Sequence, residues 1–405
     1  MSDRSTKREG GFSLLEMVVS MALGTIVLGA AVQIYIQGVS ATWTVTQRAE
    51  MQQDFRAASN ILTKDLSLAG AGLGQGIAIA LPSGITPLYG CDQTPKCYIT
   101  NASSTPTTYP LQLGTPYLYG LLPGYNMGPT LNSIQGPTDV VTVIYTDNAF
   151  YLNCYTATVT AKGVVTFAPP AAPATWATEG CLPANGPAAP QAVNDAVVGL
   201  TPGDLILMTL GGNPVVAEVT GAVSTSTNGS GQTIYKVPFA NSDALNMNQT
   251  PASVAAPNSP GLNSAFLSAT GTSPERILVI TYYLDATVTP SRLMRQISGH
   301  TPIPVAENVV YLKFSYDLFN TTTDTPAVNQ CNPGNNTTAC NLLNGSAGSA
   351  NLLPNQITKI NILNMAIDST TMGAQYAQNG YQRMDLQTSV SARDLTYSNN
   401  YPVAP

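Results

Sequence analysis

GGFSLLEMVVSMALG, residues Gly10–Gly24, decides how this chain is read. It opens a run of 25 residues, Phe12–Ile36 (FSLLEMVVSMALGTIVLGAAVQIYI), in which Glu16 is the one charged residue and Gln33 the one other strongly polar side chain. As a helix rising about 1.5 Å per residue, such a run crosses a hydrocarbon core of roughly 30 Å. A carboxylate within it is costly, roughly 2.5–3.5 kcal/mol near the bilayer centre on insertion scales. The preceding MSDRSTKREGG sets Arg4, Lys7 and Arg8 against Asp3 and Glu9. Basic residues flanking a span hold that end in the cytoplasm, which places the long remainder on the outer side.

Three readings of this N-terminus compete. A secretory signal has a shorter apolar core and a small-residue cleavage site, and neither is present here. A plain membrane anchor accounts for the hydropathy but leaves the Gly-Gly-Phe junction and Glu16 unexplained. The third reading is a resemblance. Gly11-Phe12-Ser13-Leu14-Leu15-Glu16, after a basic leader, resembles the class III signal of type IV pilins and type II secretion pseudopilins. The resemblance implies cleavage between Gly11 and Phe12 by a prepilin peptidase, N-methylation of Phe12, and retention of the apolar helix. Glu16 then has a physical role: when helices bundle, it can neutralise the new α-amino group of Phe12 on a neighbouring subunit, where an unpaired charge would be expensive. The competing bland role is that Glu16 snorkels to the headgroups one turn from the boundary.

The helical signal continues past the apolar run. Met51, Phe55, Ala58, Leu62, Leu66 and Ala69 recur in steps of three and four, with Arg48, Asp54, Arg56 and Lys64 between them. The closely spaced Gly70, Gly72, Gly74 and Gly76 predict the helix end. Phe12–Ala69 is thus expected as one helix of roughly 85–90 Å at 1.5 Å per residue. The GAGLGQG run follows a helix instead of opening one, so it reads as a terminator and turn and not as a nucleotide loop.

The expected domains are a leader at 1–11, a membrane or filament-core half-helix at 12–36, an amphipathic half-helix at 37–74, and a β-rich head at 75–405. Strand candidates in the head include Asp139–Thr146, Ala149–Val159, Asp204–Leu210, Pro214–Thr220, Thr233–Phe239, Arg276–Leu284, Asn308–Leu318, Gln356–Ile367 and Tyr381–Leu395. Long Ala/Pro-rich or Ser/Thr/Asn-rich stretches between them, STSTNGSGQ among them, are expected as surface loops. The fold class is α+β and pilin-like: a long N-terminal α-helix packed on a large antiparallel head with long loops and disulfides.

Six cysteines, Cys91, Cys97, Cys154, Cys181, Cys331 and Cys340, all follow the apolar run. An even count on the outer side suggests disulfides in an oxidising compartment, and pairing of sequence neighbours is favoured among the alternatives. No C-x-x-C is present and His300 is the one histidine, so neither a metal nor another cofactor is expected. His300, in MRQISGHTPIP, reads as a loop residue, and no G-x-S-x-G elbow or H-E-x-x-H helix accompanies it. Asp139, Asp285 and Asp317 are expected as turn and surface carboxylates. No enzymatic activity is expected. Only 9% of residues are charged and the net charge is −6, which argues against a nucleic-acid partner.

Several downstream segments resemble the PilW group of minor pilins: MQQDFRAASNILTKDLSLAG, PTDVVTVIYT, GDLILMTLGG, LMRQISGHTPIPVAENVVYLKFSYDL and YQRMDLQTSVSARDL. That resemblance implies a structural subunit that primes or caps pilus assembly. Its partners would be the prepilin peptidase, other pilins and minor pilins, and an inner-membrane assembly platform. It would sit in the bacterial inner membrane with a periplasmic head, and later in the pilus at the cell surface. The type II secretion pseudopilin J has a related layout. A tip adhesin or DNA-uptake component is the alternative of a different class, suggested by Tyr-rich YPLQLGTPYLYGLLPGY (Tyr109–Tyr125).

Overall fold

The computed structural model describes residues 11–73, 78–80, 88–94, 96–99, 117–131, 136–161, 163–170, 181–182, 189–210, 213–240, 243–248, 270–320, 325–331, 354–369, 383–392 and 395. The chain divides into two units, Met1–Gln53 and Asp54–Pro405.

The described part of the first unit is almost wholly helix α1 (Leu14–Ser67), whose last turns belong to the second unit. Between Phe12 and Val45 its large apolar side chains are all exposed; Leu14 is 81%, Ile26 68% and Tyr35 73% accessible. Its hydroxyls are satisfied within the helix. Ser20 donates to the Glu16 carbonyl, Thr25 to that of Ala22 at 2.8 Å, and Thr42 to that of Gly38 at 2.9 Å. A helix that bonds its own polar side chains in this way leaves little for an apolar surrounding to penalise.

In the second unit α1 becomes one-sided. Phe55, Ala58, Leu62, Leu66 and Ala69 of the expected stripe are all buried, the last four completely. The helix tightens at its end, where Leu68 N–H donates to Asp65 O and Ala69 N–H to Leu66 O at 3.1 and 3.3 Å. Gly70 and Gly72 then take φ of +82° and +74°, the left-handed backbone that glycine adopts without strain. At Gly72 a Cβ would also collide with the Thr146 side chain. The turn is fixed to the head by Gly70 N–H donating to Ile144 O and Thr146 N–H donating to Ala71 O, both at 2.9 Å. Gly74 and Gly76 lie outside the described residues.

Seventeen strands follow among the described residues. β1 (Ala78–Ala80) pairs with β2 (Tyr117–Tyr119) in a small two-stranded sheet. The main sheet contains β3 (Leu121–Gly124), β4 (Val140–Thr146), β5 (Thr156–Ala161), β6 (Val164–Ala168), β7 (Leu205–Leu210), β8 (Asn213–Glu218), β9 (Ser224–Thr227), β10 (Thr233–Pro238), β11 (Thr270–Asp285), β12 (Arg292–Ile297) and β13 (Ile303–Glu307). A third sheet has the order β15-β14-β16-β17, from β14 (Val309–Asn320), β15 (Thr325–Cys331), β16 (Ile357–Asp368) and β17 (Arg383–Ser391). The pairings are antiparallel, and the fold class is the expected α+β.

β11 is the spine of the main sheet. Its first half pairs with β5 and β7, its second half with β4 and β12. The run ILVITYYL is apolar and β-branched on both faces, as a central strand covered on both sides requires. β7 shows the consequence: Leu205 enters one core with Ile144, Ile277 and Tyr283, while its neighbour Ile206 enters the other with Phe167, Val215 and Phe239. Alternation with period two thus feeds two cores from one strand.

The differences from expectation have local causes. Ala149–Val159 is not one strand: Asp147 caps Ala149 N–H at 3.0 Å, a 3₁₀ turn covers Leu152–Cys154, and β5 starts at Thr156. STSTNGSGQ is not a loop but a hairpin between β9 and β10, closed by Asn228, whose Oδ1 accepts Ser230 and Gln232 N–H. MRQI belongs to β12, and His300 does lie in the turn before β13.

Cys91 bonds Cys97, and Cys154 bonds Cys181, as neighbour pairing expects. Cys340, the expected partner of Cys331, lies outside the described residues, as do residues 1–10 of the leader.

Candidate functional site

The first helical turn is built around two side chains. Ser13 precedes α1, and its Oγ accepts Leu15 N–H at 3.3 Å, while the Glu16 carboxylate reaches back to accept Ser13 N–H at 3.0 Å. This reciprocal arrangement is a capping box, which satisfies N–H groups that the first turn cannot bond internally. It also puts a negative charge at the positive end of the helix. Glu16 therefore has a task within its own chain that the sequence reading above did not assign, although S-L-L-E has the required spacing. Gly11 lies outside the helix with no atom near its Cβ position, and Phe12 is 88% exposed. Among the described residues nothing crowds the proposed cleavage point, which lies immediately ahead of a capped helix long and apolar enough to cross a membrane.

The second cluster fastens the end of α1 into the head. Asp65 lies on the buried stripe, three residues after Leu62, and is 3% exposed. Its Oδ2 accepts Arg295 Nε at 2.7 Å and the Tyr282 hydroxyl at 2.6 Å, and its Oδ1 accepts the Tyr145 hydroxyl at 3.2 Å. Burial, reinforced by the Asp65 charge, holds both phenols protonated far above the ordinary tyrosine range. Burial opposes the Arg295 charge, but the hydrogen bonds and charges of Asp65 and Tyr282 together outweigh it and raise the guanidinium pKa. β4, β11 and β12 supply the three partners, so one carboxylate ties the helix to three adjacent strands.

Other singled-out residues serve structure. Asp139, expected on the surface, is 2% exposed: Lys313 Nζ lies 2.7 Å from its Oδ1, and the lysine stacks 4.6 Å over the Tyr125 ring. Burial raises the Asp139 pKa, and the Lys313 charge opposes that rise. Asp285 caps the turn at Thr287, and Asp317 accepts the Asn361 amide at 3.0 Å. His300 Nε2 sits 3.0 Å from Asp204 Oδ1. Tyr119 is buried and Tyr125 lies under Lys313, so these two tyrosines pack inward; Tyr109–Pro116 lies outside the described residues.

Comparison with known proteins agrees with the N-terminal geometry. Residues 6–32 match the family model of the prokaryotic N-terminal methylation motif. The pilin-like protein PilA3 of Thermus thermophilus is 32% identical over 94 residues, covering 22% of this chain. The match spans 40% of that relative's length. No solved structure matches. The motif at 6–32, ahead of an exposed apolar helix, and the partial match to a pilin-like protein are what this chain shares with the type IV pilin superfamily.

Proposed function

We propose that the protein is a minor pilin of the PilW kind, a membrane-anchored structural subunit without catalytic activity that primes or caps type IV pilus assembly. The observation that carries this reading is the sequence Gly11-Phe12 followed by Glu16 at the head of a capped helix whose first half is apolar and exposed. A prepilin peptidase would cut between Gly11 and Phe12 and the new amine would be methylated. Glu16 would then serve two partners. One carboxylate oxygen holds Ser13 N–H of its own helix, and the other receives the Phe12 amine of a neighbouring pilin. A large head with two disulfides on the far side of the membrane suits a subunit that ends outside the cell.

Intact mass of the chain from membranes or sheared pili tests the processing step. A chain beginning at Phe12 with one added methyl group is expected, and a chain still carrying Met1–Gly11 would leave only a tethered protein. Gly11→Val is expected to retain the leader. Glu16→Gln separates the two roles of the glutamate, because glutamine preserves a capping box but not the charge. The variant is expected to be processed normally yet enter filaments poorly. Incorporation at the wild-type level would reduce Glu16 to its capping role. Deletion that stops secretion while leaving piliation intact would reassign the protein to a type II secretion pseudopilus.

A further inference from the structure

Two carboxyl groups in the head lack the cation that accompanies comparable residues. Asp65, Asp139 and Asp204 each have Arg, Lys or His against them. Glu218, at the end of β8, is fully buried, and Asp243 is 8% exposed, yet no Lys, Arg or His bonds either among the described residues. Their side chains lie within hydrogen-bonding reach of each other.

Their hydrogen bonds show where a proton is required. Glu218 Oε1 accepts the Gln93 side-chain amide, and Oε2 accepts Leu245 N–H at 2.8 Å. Asp243 Oδ2 accepts the N–H groups of Met247 and Asn248, while its Oδ1 is buried with no partner among the described residues. Two adjacent ionised carboxylates would repel and would leave that oxygen unsatisfied. One proton on Glu218, donated to Asp243 Oδ1, removes both difficulties.

The same groups join segments distant in sequence. Gln93 belongs to the Cys91–Cys97 loop, and its N–H donates to Gly299 O at 3.1 Å. Gly299 packs so closely on Glu218 that a Cβ there would strike Oε1. The Asn248 side chain bonds both the N–H and the carbonyl of Glu218, at 2.7 and 2.6 Å, completing the edge of β8. The remaining charged groups on these elements are engaged elsewhere. Asp92 takes the Thr94 and Tyr98 hydroxyls, Lys96 lies over the Tyr98 ring, and His300 and Arg276 face Asp204.

We propose that Glu218 and Asp243 bind one proton between them and so form a proton-dependent latch that holds segment 243–248 and the Cys91–Cys97 loop on the edge of β8. The inference stands whether or not the chain is a pilin. Burial, with Asp243 beside it, lifts Glu218 to about 8 from its ordinary 4.5. A folded-state pKa above the unfolded one gives stability that is complete below the unfolded value and lost as pH rises through the folded one. The latch therefore weakens between about pH 4.5 and about pH 8, opening about tenfold more per unit, and levels off above.

Amide hydrogen exchange at Leu245, Met247 and Asn248 in the full chain, held in detergent micelles, reads this directly. Base catalysis alone accelerates exchange about tenfold per pH unit, so latch-limited exchange is expected to accelerate about a hundredfold per unit between about pH 5 and pH 8. Above that window the slope should return to about tenfold. Glu218→Gln is expected to show the tenfold slope throughout; if it does not fold, Asp243→Asn is expected to end the hundredfold slope at a lower pH, because Glu218 stays buried but loses the carboxylate beside it. A tenfold slope across the whole range in the wild type would overturn the proposal, as would a hundredfold slope surviving in Glu218→Gln or an unchanged window in Asp243→Asn. Restoration of protection at high pH by added Ca²⁺ would also overturn it, by making the pair a metal site.

Discussion

Replacing Asp65 by Ala is the most direct test of how the head grips its helix. The substitution removes the acceptor of three buried donors: Arg295 Nε at 2.7 Å and the hydroxyls of Tyr282 and Tyr145 at 2.6 and 3.2 Å. Arg295 is 16% exposed at its side chain, so its charge would be left largely without water or partner. Removing one member of a buried ion pair costs about 3–5 kcal/mol, chiefly through the orphaned charge. The two phenols add a further, non-additive share, because both buried hydroxyls lose the same acceptor. A loss of about 4 kcal/mol is therefore expected for Asp65→Ala. The assay is guanidinium unfolding of the full chain in a non-denaturing detergent, followed by the near-ultraviolet circular dichroism of its tyrosines. The midpoint is expected to fall at unchanged slope. The companion variant Asp65→Leu with Arg295→Met removes both charges, and it is expected to cost less than Asp65→Ala alone. A loss under about 1 kcal/mol for Asp65→Ala would mean that the cluster is solvated like a surface pair. A double variant costing the full sum of its single changes would show that the two charges do not act together.

Three further outcomes follow from the packing. Leu62→Ala empties a fully buried site on the helix stripe and is expected to cost about 2–5 kcal/mol in the same unfolding assay, whereas Val27→Ala, exposed on the apolar half-helix, is expected to cost well under 1 kcal/mol. Gly72→Ala forces a side chain into a φ of +74° and into Thr146, and is expected to cost at least about 2 kcal/mol; a neutral result would place the turn elsewhere. Opening Cys154–Cys181 with paired serines is expected to destabilise the head by about 3.5 kcal/mol, against about 2.5 kcal/mol for Cys91–Cys97, since the first closes the longer loop. The reverse order of midpoints would contradict that account.

What could be read from the sequence was local in origin. The helix stripe, its glycine stop and the apolar β-branched strands β4, β7, β14 and β16 each carry their period within a dozen residues, and the structure places them as expected, whereas β11 starts at Thr270, six residues before the expected Arg276. The capping box at Ser13 and Glu16 was equally local but was obscured by the membrane reading of the same residues. Asp65 was legible in part: its spacing from Leu62 puts it on the buried stripe, where a carboxylate demands a partner. Which partner was not legible, because Arg295 is 230 residues away and arrives through the register of β12 on β11. The Glu218 node is hidden for the same reason, since Gln93 lies 125 residues from it. The β9–β10 hairpin was misread because polar Ser/Thr strands lack an apolar alternation, although Asn228-Gly229 between them is a strong hairpin signal.

The exposed half of α1 bears on why a costly glutamate is kept. Its large apolar residues from Phe12 to Val45 are bare in the isolated chain. Covering such a side chain is worth about 1.5–3 kcal/mol, so covering them all is worth tens of kcal/mol. Against that, one carboxylate at roughly 2.5–3.5 kcal/mol is a minor opposing term, and smaller still near the headgroups, where the first turn would lie. Hydropathy alone would therefore accept a bilayer and a bundle of like helices almost equally, and would leave the axial register of the bundle free. Glu16 breaks that indifference. In the bilayer its capping box and the headgroups suffice, but in a bundle interior its charge needs a positive partner at one height. On the proposed reading, the Phe12 amine of a neighbour supplies that partner. A residue that slightly weakens insertion then sets how one helix stands against the next.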